Sequence, residues 1–165
     1  MMIDRSKISY RKAKPDDIHI LVDYRIMFLK ELQGKQTSSD EKKLRNELSK
    51  YFEDTVKNNT FIAWIAEYEN KPIGLGGMVI QKIPGHFKIM KGSIGYVLSM
   101  FTIPTARKNG ICSVILKKLS EEAKEQKLDM IYLHASDDGI NLYRKFGFKE
   151  PDAPVLEMQV KNCKK

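Results

Sequence analysis

Cysteine is scarce in this 165-residue chain, with two copies, and it has one tryptophan and three histidines. Cys112 and Cys163 lie far apart and match no metal-ligand or redox spacing. That excludes a disulfide scaffold and a zinc module, so no metal is expected and the thiols should be free, as in a cytoplasmic protein. Long apolar runs are also missing: none approaches the roughly 20 residues that a spanning helix needs, so no membrane role is expected. The opening "MMIDRSKISY" carries charge at Asp4, Arg5 and Lys7 with no apolar stretch behind it, and reads as neither signal peptide nor anchor. Internal repeats, low-complexity tracts and linkers are absent. One domain over 1–165, with a core at about 8–160, is the expectation.

What is present is ordinary for a globular protein: 42% hydrophobic and 30% charged residues. The net charge of +8 raises the question of nucleic acid. The basic residues are interleaved with acids, as in "SSDEKKLRNELSK", rather than gathered on one face, which argues against it. Such an excess still draws phosphorylated small molecules into a cleft.

Periodicity lays out the chain. "ISYRKA" (8–13) alternates like a strand, and "KPDD" opens a helix, with Pro15 in its first turn and Asp16 and Asp17 at the positive dipole end. Ile18, Leu21, Val22, Ile26, Leu29 and Leu32 share a helical face that Gly34 closes. After Ser39 or Asp40 as cap, Leu44, Leu48, Tyr51, Phe52 and Val56 predict a second helix. "TFIAWIAEY" (60–68) and "IGLGGMVIQKI" (73–83) read as a hairpin around "ENKP". Gly74, Gly76 and Gly77 point to something packed closely on that second strand. Another strand follows at 93–103, then a basic turn, a helix from about 110 to 126, and a short apolar strand at 129–135. "SDDGINLYRKFGF" reads as a short helix ending at Gly147, with Asp137 and Asp138 as cap and first turn, and "PVLEMQV" (154–160) as a last strand. The order β-α-α-β-β-β-α-β-α-β implies an α/β (α+β) fold. Its sheet is mixed and mostly antiparallel, with a right-handed βαβ crossover and helices on both faces.

The turn "PTARKNG" before the helix carries the chemistry. The first four N–H groups of a helix lack partners, and the dipole places partial positive charge there. A phosphate binds such an end through backbone alone. Gly110 would let it approach without a Cβ in the way, and Arg107 and Lys108 add charge. The GKS or GKT ending of a P-loop is missing.

"LSMFTIPTARKNGICSVILKKL" followed by "LHASDDGINLYRKFGF" resembles the GNAT superfamily of N-acetyltransferases. Arg107, Gly110 and Cys112 sit in the frame Arg/Gln-x-x-Gly-x-Gly/Ala. Ser136, Gly139, Leu142, Tyr143, Gly147 and Phe148 hold the places of a second motif, Asn-x-x-Ala-x-x-Leu-Tyr followed by Gly-Phe. Cys112, Ser136 and Gly139 depart from the usual small residue, asparagine and alanine; the last exchange is expected to change little. The element order matches from Ile8 to about Val160.

The resemblance implies acetyl-CoA as cosubstrate. Its pyrophosphate would lie on the backbone N–H groups of Lys108, Asn109, Gly110, Ile111, Cys112 and Ser113, with Arg107 adding charge beside them. Its pantetheine arm would run along Met100, Phe101 and Thr102, and Ser136 stands at a further cofactor position. Tyr143 takes the place of the acid that protonates the leaving thiolate. The strand "GYVLSMF" lacks the glutamate base of some members, so Glu31 at the end of the first helix is the candidate base. His134, on a strand face with Met130 and Tyr132, reads first as a hydrogen-bonded core histidine. The implied acceptor is a small-molecule or peptide amine. Charged tRNA as acceptor, and a non-catalytic module binding a CoA ester, are the competing readings. The sequence leaves both monomer and homodimer open.

Overall fold

The computed structural model describes residues 2–160. Cys163, beyond them, lies outside the described residues, and Cys112 is a free thiol. Two compact units divide the chain, the first ending at His134 and the second beginning at Ala135.

The first unit holds a five-stranded sheet in the order β1-β2-β3-β4-β5. β1 (Ser9–Lys12), β2 (Phe61–Tyr68), β3 (Lys71–Lys82) and β4 (Ser93–Thr102) are antiparallel neighbours. β5 (Met130–Leu133) joins β4 in parallel through the crossover helix α3 (Ile111–Glu125). This is the expected mixed, mostly antiparallel α/β arrangement.

α1 (Ile18–Gln33) and α2 (Ser38–Lys57) cover one face of the sheet. Leu21, Val22, Tyr24 and Ile26 of α1 and Phe52 of α2 meet Phe61, Ala63, Ile65, Leu75 and Phe101 in one buried cluster. Tyr24, unassigned by periodicity, packs edge-on against Phe101 at 6.0 Å. Leu32, expected on the buried face, is exposed. The cap of α2 is Thr37, whose hydroxyl accepts the Asp40 N–H at 3.1 Å, and not the expected Ser39 or Asp40.

α3 lies on the opposite face. A Cβ at Gly74 would stand 2.7 Å from Ile111 Cγ2, and one at Gly76 would stand 2.7 Å from Ile115 Cγ2 and 2.3 Å from Met100 Sδ. The close packing expected at Gly74 and Gly76 is therefore the docking of α3, whereas a Cβ at Gly77 would stand 2.3 Å from Phe61 Cζ on the α1/α2 side. Ile111, Ile115, Leu116 and Leu119 are fully buried there. Fully burying side chains of this size contributes about 1.5–3 kcal/mol each. At the far end, Lys12 Nζ holds the buried Glu122 carboxylate at 2.9 Å.

The second unit contains α4 (Ile140–Lys145). Gly139 is its N-cap, so Asp137 and Asp138 precede the helix and neither caps it with a side chain. The Ser136 carbonyl accepts the Gly139 and Ile140 N–H groups, both at 3.0 Å, closing a turn that keeps those carboxylates outside the helix. Residues 154–160 form no strand, contrary to the alternation read there. Val155, Leu156, Met158 and Val160 are exposed, and among the described residues no strand pairs with the segment. A strand pattern is only half of a strand, because its backbone groups need a neighbouring ladder.

One charge cluster ties β1 to the entry of α1. Asp17 accepts from Arg11 at 2.7 and 2.8 Å and from the Lys14 N–H at 2.8 Å, and Arg11 also pairs with Glu67 at 2.9 Å. The Arg11 hydrogen bonds hold the Asp17 carboxyl below its ordinary value. Asp17→Asn is expected to cost about 2 kcal/mol at neutral pH, since it leaves a charged donor pair short of its acceptor. A carboxyl with a depressed folded pKa stabilises above its unfolded pKa of 3.8 and loses that contribution as pH falls through the folded value. The gap in melting temperature between wild type and Asp17→Asn should thus be full at pH 7 and close toward pH 2. A gap that stays constant would remove the ion pair from the account.

Candidate active site

The turn between β4 and α3 has the geometry of an anion cradle. Gly110 caps α3 in the left-handed region, at φ +78° and ψ +8°, and a Cβ there would meet nothing within 4 Å. Lys108, at φ +63°, is left-handed too. The first backbone bond of the helix runs from Val114 N–H to the Gly110 carbonyl at 3.1 Å, so the N–H groups of Ile111, Cys112 and Ser113 make no bond within the helix. Beside them lies a cavity of about 120 Å³ lined by Thr102, Ala106, Arg107, Lys108, Gly110, Ile111, Cys112 and Ser113. The predicted pyrophosphate residues thus share one pocket, except Asn109.

Asn109 has another task. Its Nδ2 donates to the carbonyls of Ala106 at 3.0 Å and Arg107 at 3.2 Å, bracing the turn from inside. From outside, Arg5 donates through Nη2 to the Lys108 carbonyl at 2.8 Å and through Nε to Asn109 Oδ1 at 3.4 Å. Nothing in the sequence singled out Arg5, because a contact across 103 positions leaves no local pattern. The Cys112 sulfur sits 3.3 Å from Thr102 Oγ1, which ties the first helical turn to β4.

β4 supplies an open edge. Its pairing with β5 runs from Ile94↔Met130 to Val97↔Leu133 and stops. Beyond it, the stretch carrying Met100, Phe101 and Thr102 has β3 on one side and no strand on the other among the described residues. Ser99 marks the change: it lies at the register shift against β3, at φ +56°, and is 2% exposed. A bulge there bends the strand away from its neighbour.

Arg107 and Glu31, expected as pyrophosphate contact and base, are partners. Arg107 Nη2 pairs with Glu31 Oε2 at 2.5 Å, its Nε donates to the Thr102 carbonyl at 3.1 Å, and its guanidinium lies 5.8 Å from the Phe101 ring centre. The Arg107 side chain is thereby turned back onto β4 and α1. In the second unit, Tyr143 packs edge-on against Phe148 at 6.0 Å. A Cβ on Gly139 would stand 2.8 Å from Tyr143 Cε2, so the glycine is what seats the ring, and the family's alanine would push it aside. Ser136 belongs to the turn before α4, with its carbonyl engaged as above.

Two groups on the α1/α2 face of the sheet differ from the sequence reading: His134, expected in the core, and Arg25, which no pattern singled out. His134 is exposed rather than buried in the core, and its Nδ1 lies 3.1 Å from the Tyr96 hydroxyl. It follows β5, the edge strand, so no further strand covers it. Tyr96 stacks on Tyr132 at 4.9 Å, and the Tyr132 hydroxyl donates to Gln81 at 3.0 Å. Close to the bulge, Arg25 of α1 donates to Ser99 Oγ at 3.2 Å and lies 5.6 Å from the centre of the Phe28 ring. Burial lowers the pKa of that guanidinium, with Tyr96 and Tyr51 opposing the shift.

Sequence and fold comparisons agree with this geometry. The profile of the Acetyltransferase (GNAT) family matches residues 26–148. A predicted acetyltransferase of Clostridium acetobutylicum, crystallised with acetyl-CoA, is 35% identical with a TM-score of 0.84, over 93% of this chain and 96% of its own. A GCN5-related N-acetyltransferase of Ralstonia eutropha superposes at a TM-score of 0.81 with 18% identity, over 92% and 98% of the two chains. The glucosamine-6-phosphate N-acetyltransferase of Arabidopsis thaliana shares the fold at a TM-score of 0.66 and 17% identity, over 92% and 97%. No curated protein matches the chain. The protein belongs to the GNAT acetyltransferase family. Among the described residues no helix is long and apolar enough to cross a membrane.

The open space at Gly110 makes it the sharpest probe of the cradle. Gly110→Glu should lose about 1–2 kcal/mol of stability, because a side chain is disfavoured in the left-handed region. Its carboxylate would also repel an anion approaching the cradle. At 100 times its dissociation constant, acetyl-CoA should stabilise the wild type by about 2.7 kcal/mol and the variant by nothing. Equal melting shifts in both proteins would place the pyrophosphate elsewhere.

Proposed function

We propose that this chain is an acetyl-CoA-dependent N-acetyltransferase that passes the acetyl group directly to a primary amine of a small molecule or peptide. The observation that carries this reading is the adjacency of the anion cradle at Gly110 to the unpaired edge of β4. Together they fit a pyrophosphate and the extended amide chain that follows it, the latter laid along a strand edge as an added strand. The 35% identity to an acetyltransferase crystallised with acetyl-CoA supports the same assignment.

In this reading Ile111, Cys112 and Ser113 hold the pyrophosphate through backbone N–H groups, and Met100 to Thr102 align the thioester. Nitrogen attacks the thioester carbonyl, the C–N bond forms, and the C–S bond breaks. The nitrogen loses a proton and the departing thiolate gains one. A lysine-like amine, with a pKa of about 10.4, costs roughly 4.6 kcal/mol to neutralise at pH 7, and an α-amine about 1 kcal/mol. Glu31 is spoken for by Arg107, so its role here is to position that arginine. The Tyr96–His134 pair is the better candidate acceptor for the amine proton, because it is exposed and imidazole is the commonest side chain in that role.

The thiolate's proton is assigned to Tyr143, whose ring Gly139 seats. The overall test is thiol release from acetyl-CoA by the purified protein against a panel of amines, amino acids, aminoglycosides and peptides. Binding of acetyl-CoA with no thiol release on any of them would leave a binding module instead of an enzyme. Tyr143→Phe keeps the ring and removes the donor. Turnover should drop by about 10² to 10⁴, with acetyl-CoA affinity nearly unchanged. A rate within threefold of wild type, in an assay limited by chemistry, would mean another group is the acid.

A further inference from the structure

The four other arginines of the first unit are anchored. Arg11 pairs with Asp17 and Glu67, Arg45 with Asp23 and Glu41, Arg107 with Glu31, and Arg5 holds the cradle turn. Arg25 stands apart. It is half-buried against the sheet, and its one hydrogen bond among the described residues goes to a neutral hydroxyl, Ser99 Oγ. The carboxylates that flank it along α1, Asp23 and Glu31, are committed to Arg45 and Arg107. The aromatic groups around it, Phe28, Tyr51 and Tyr96, bring no charge to neutralise it at pH 7. A guanidinium presents five donors in a fixed fork, and removing it partly from water without an anion is costly. Its fork is thus available to an anion arriving from outside.

The position of Arg25 says which anion. Ser99 sits at the bulge where β4 leaves β5, directly before the stretch 100–102 assigned above to the thioester arm. Arg25 reaches this point from α1, on the sheet face that also carries Tyr96 and His134, opposite to α3 and its cradle. A negative group held there belongs to the acceptor and not to the pyrophosphate. Resting on the acetyltransferase reading, we infer that the acceptor amine carries an acid group, a carboxylate or a phosphate, which the Arg25 fork binds. Phe28 lies against the guanidinium, its ring centre 5.6 Å from Cζ, and a two-pronged contact from the fork would set the distance from acid group to attacking nitrogen. The basic surface, at net +8, steers such acceptors inward.

The test uses acceptor pairs that differ only in the acid group: amino acids against their decarboxylated amines, and a hexosamine phosphate against the free hexosamine. With wild-type protein, kcat/KM for the acid-bearing member of at least one pair type should exceed that of its neutral partner tenfold or more; which type does so separates carboxylate from phosphate. Arg25→Met should bring that ratio to near one while leaving the acetyl-CoA melting shift in place, and Arg25→Lys, which keeps the charge without the fork, should fall between. Thiol release with equal rates for both members of every pair overturns the acidic acceptor and leaves the N-acetyltransferase reading standing. A preference that survives Arg25→Met in a variant with a wild-type melting curve overturns the role of Arg25. No thiol release with any amine, despite acetyl-CoA binding, takes down the enzymatic reading and this inference with it.

Discussion

The site depends on how closely α3 can approach the sheet. Two missing side chains in β3, at Gly74 and Gly76, let Ile111 and Ile115 come into the space a Cβ would fill. Protein interiors are packed to crystal density, so a helix seated this way has little freedom to slide or tilt. Because Ile111 is the first residue of that helix, the packing fixes the end that matters. A cradle made of backbone amides has no side chain to adjust, and its precision comes from the elements that carry it. The Cys112–Thr102 contact adds a polar tie between the same helix turn and β4.

β4 divides the labour of the site along its length. Its first half is paired on both sides and is part of the sheet; its second half, past the bulge at Ser99, has one partner and a free edge. Left-handed backbone at a non-glycine residue is costly, and at Ser99 the surrounding packing sustains it. The bend frees the edge on one side and offers the Ser99 hydroxyl to Arg25 on the other. A single irregularity in one strand thus shapes both the free edge and the surroundings of Arg25.

The elements that build the cradle were legible in the sequence because each has a local signature. A glycine before an amphipathic run marks a helix entry, and three glycines within one strand mark a close neighbour. Residues 154–160 misled for the same reason: alternation is local, whereas a strand needs a partner that no local pattern supplies. The charged contacts were illegible. Glu31, the expected base, is paired with Arg107, 76 positions away. His134 looked interior because its neighbours are apolar, but β5 is the edge strand and the chain leaves the sheet there. Arg25 reads as one more cation on α1 until the fold shows which acidic groups have been taken by others.

The bond from Arg5 to the Lys108 carbonyl spans 103 positions. Contacts so distant in sequence carry a large loop-closure entropy and form only once the chain between them has collapsed. The cradle turn therefore acquires its outer brace late in folding, after the sheet that lies between its two ends. An exposed hydrogen bond contributes only about 0.5–1.5 kcal/mol, so the same brace is among the first to release in native fluctuations. The cradle turn thus joins a rigid floor, set by packed glycines, to a latch that opens at little cost, so its outer side can move without disturbing the helix behind it.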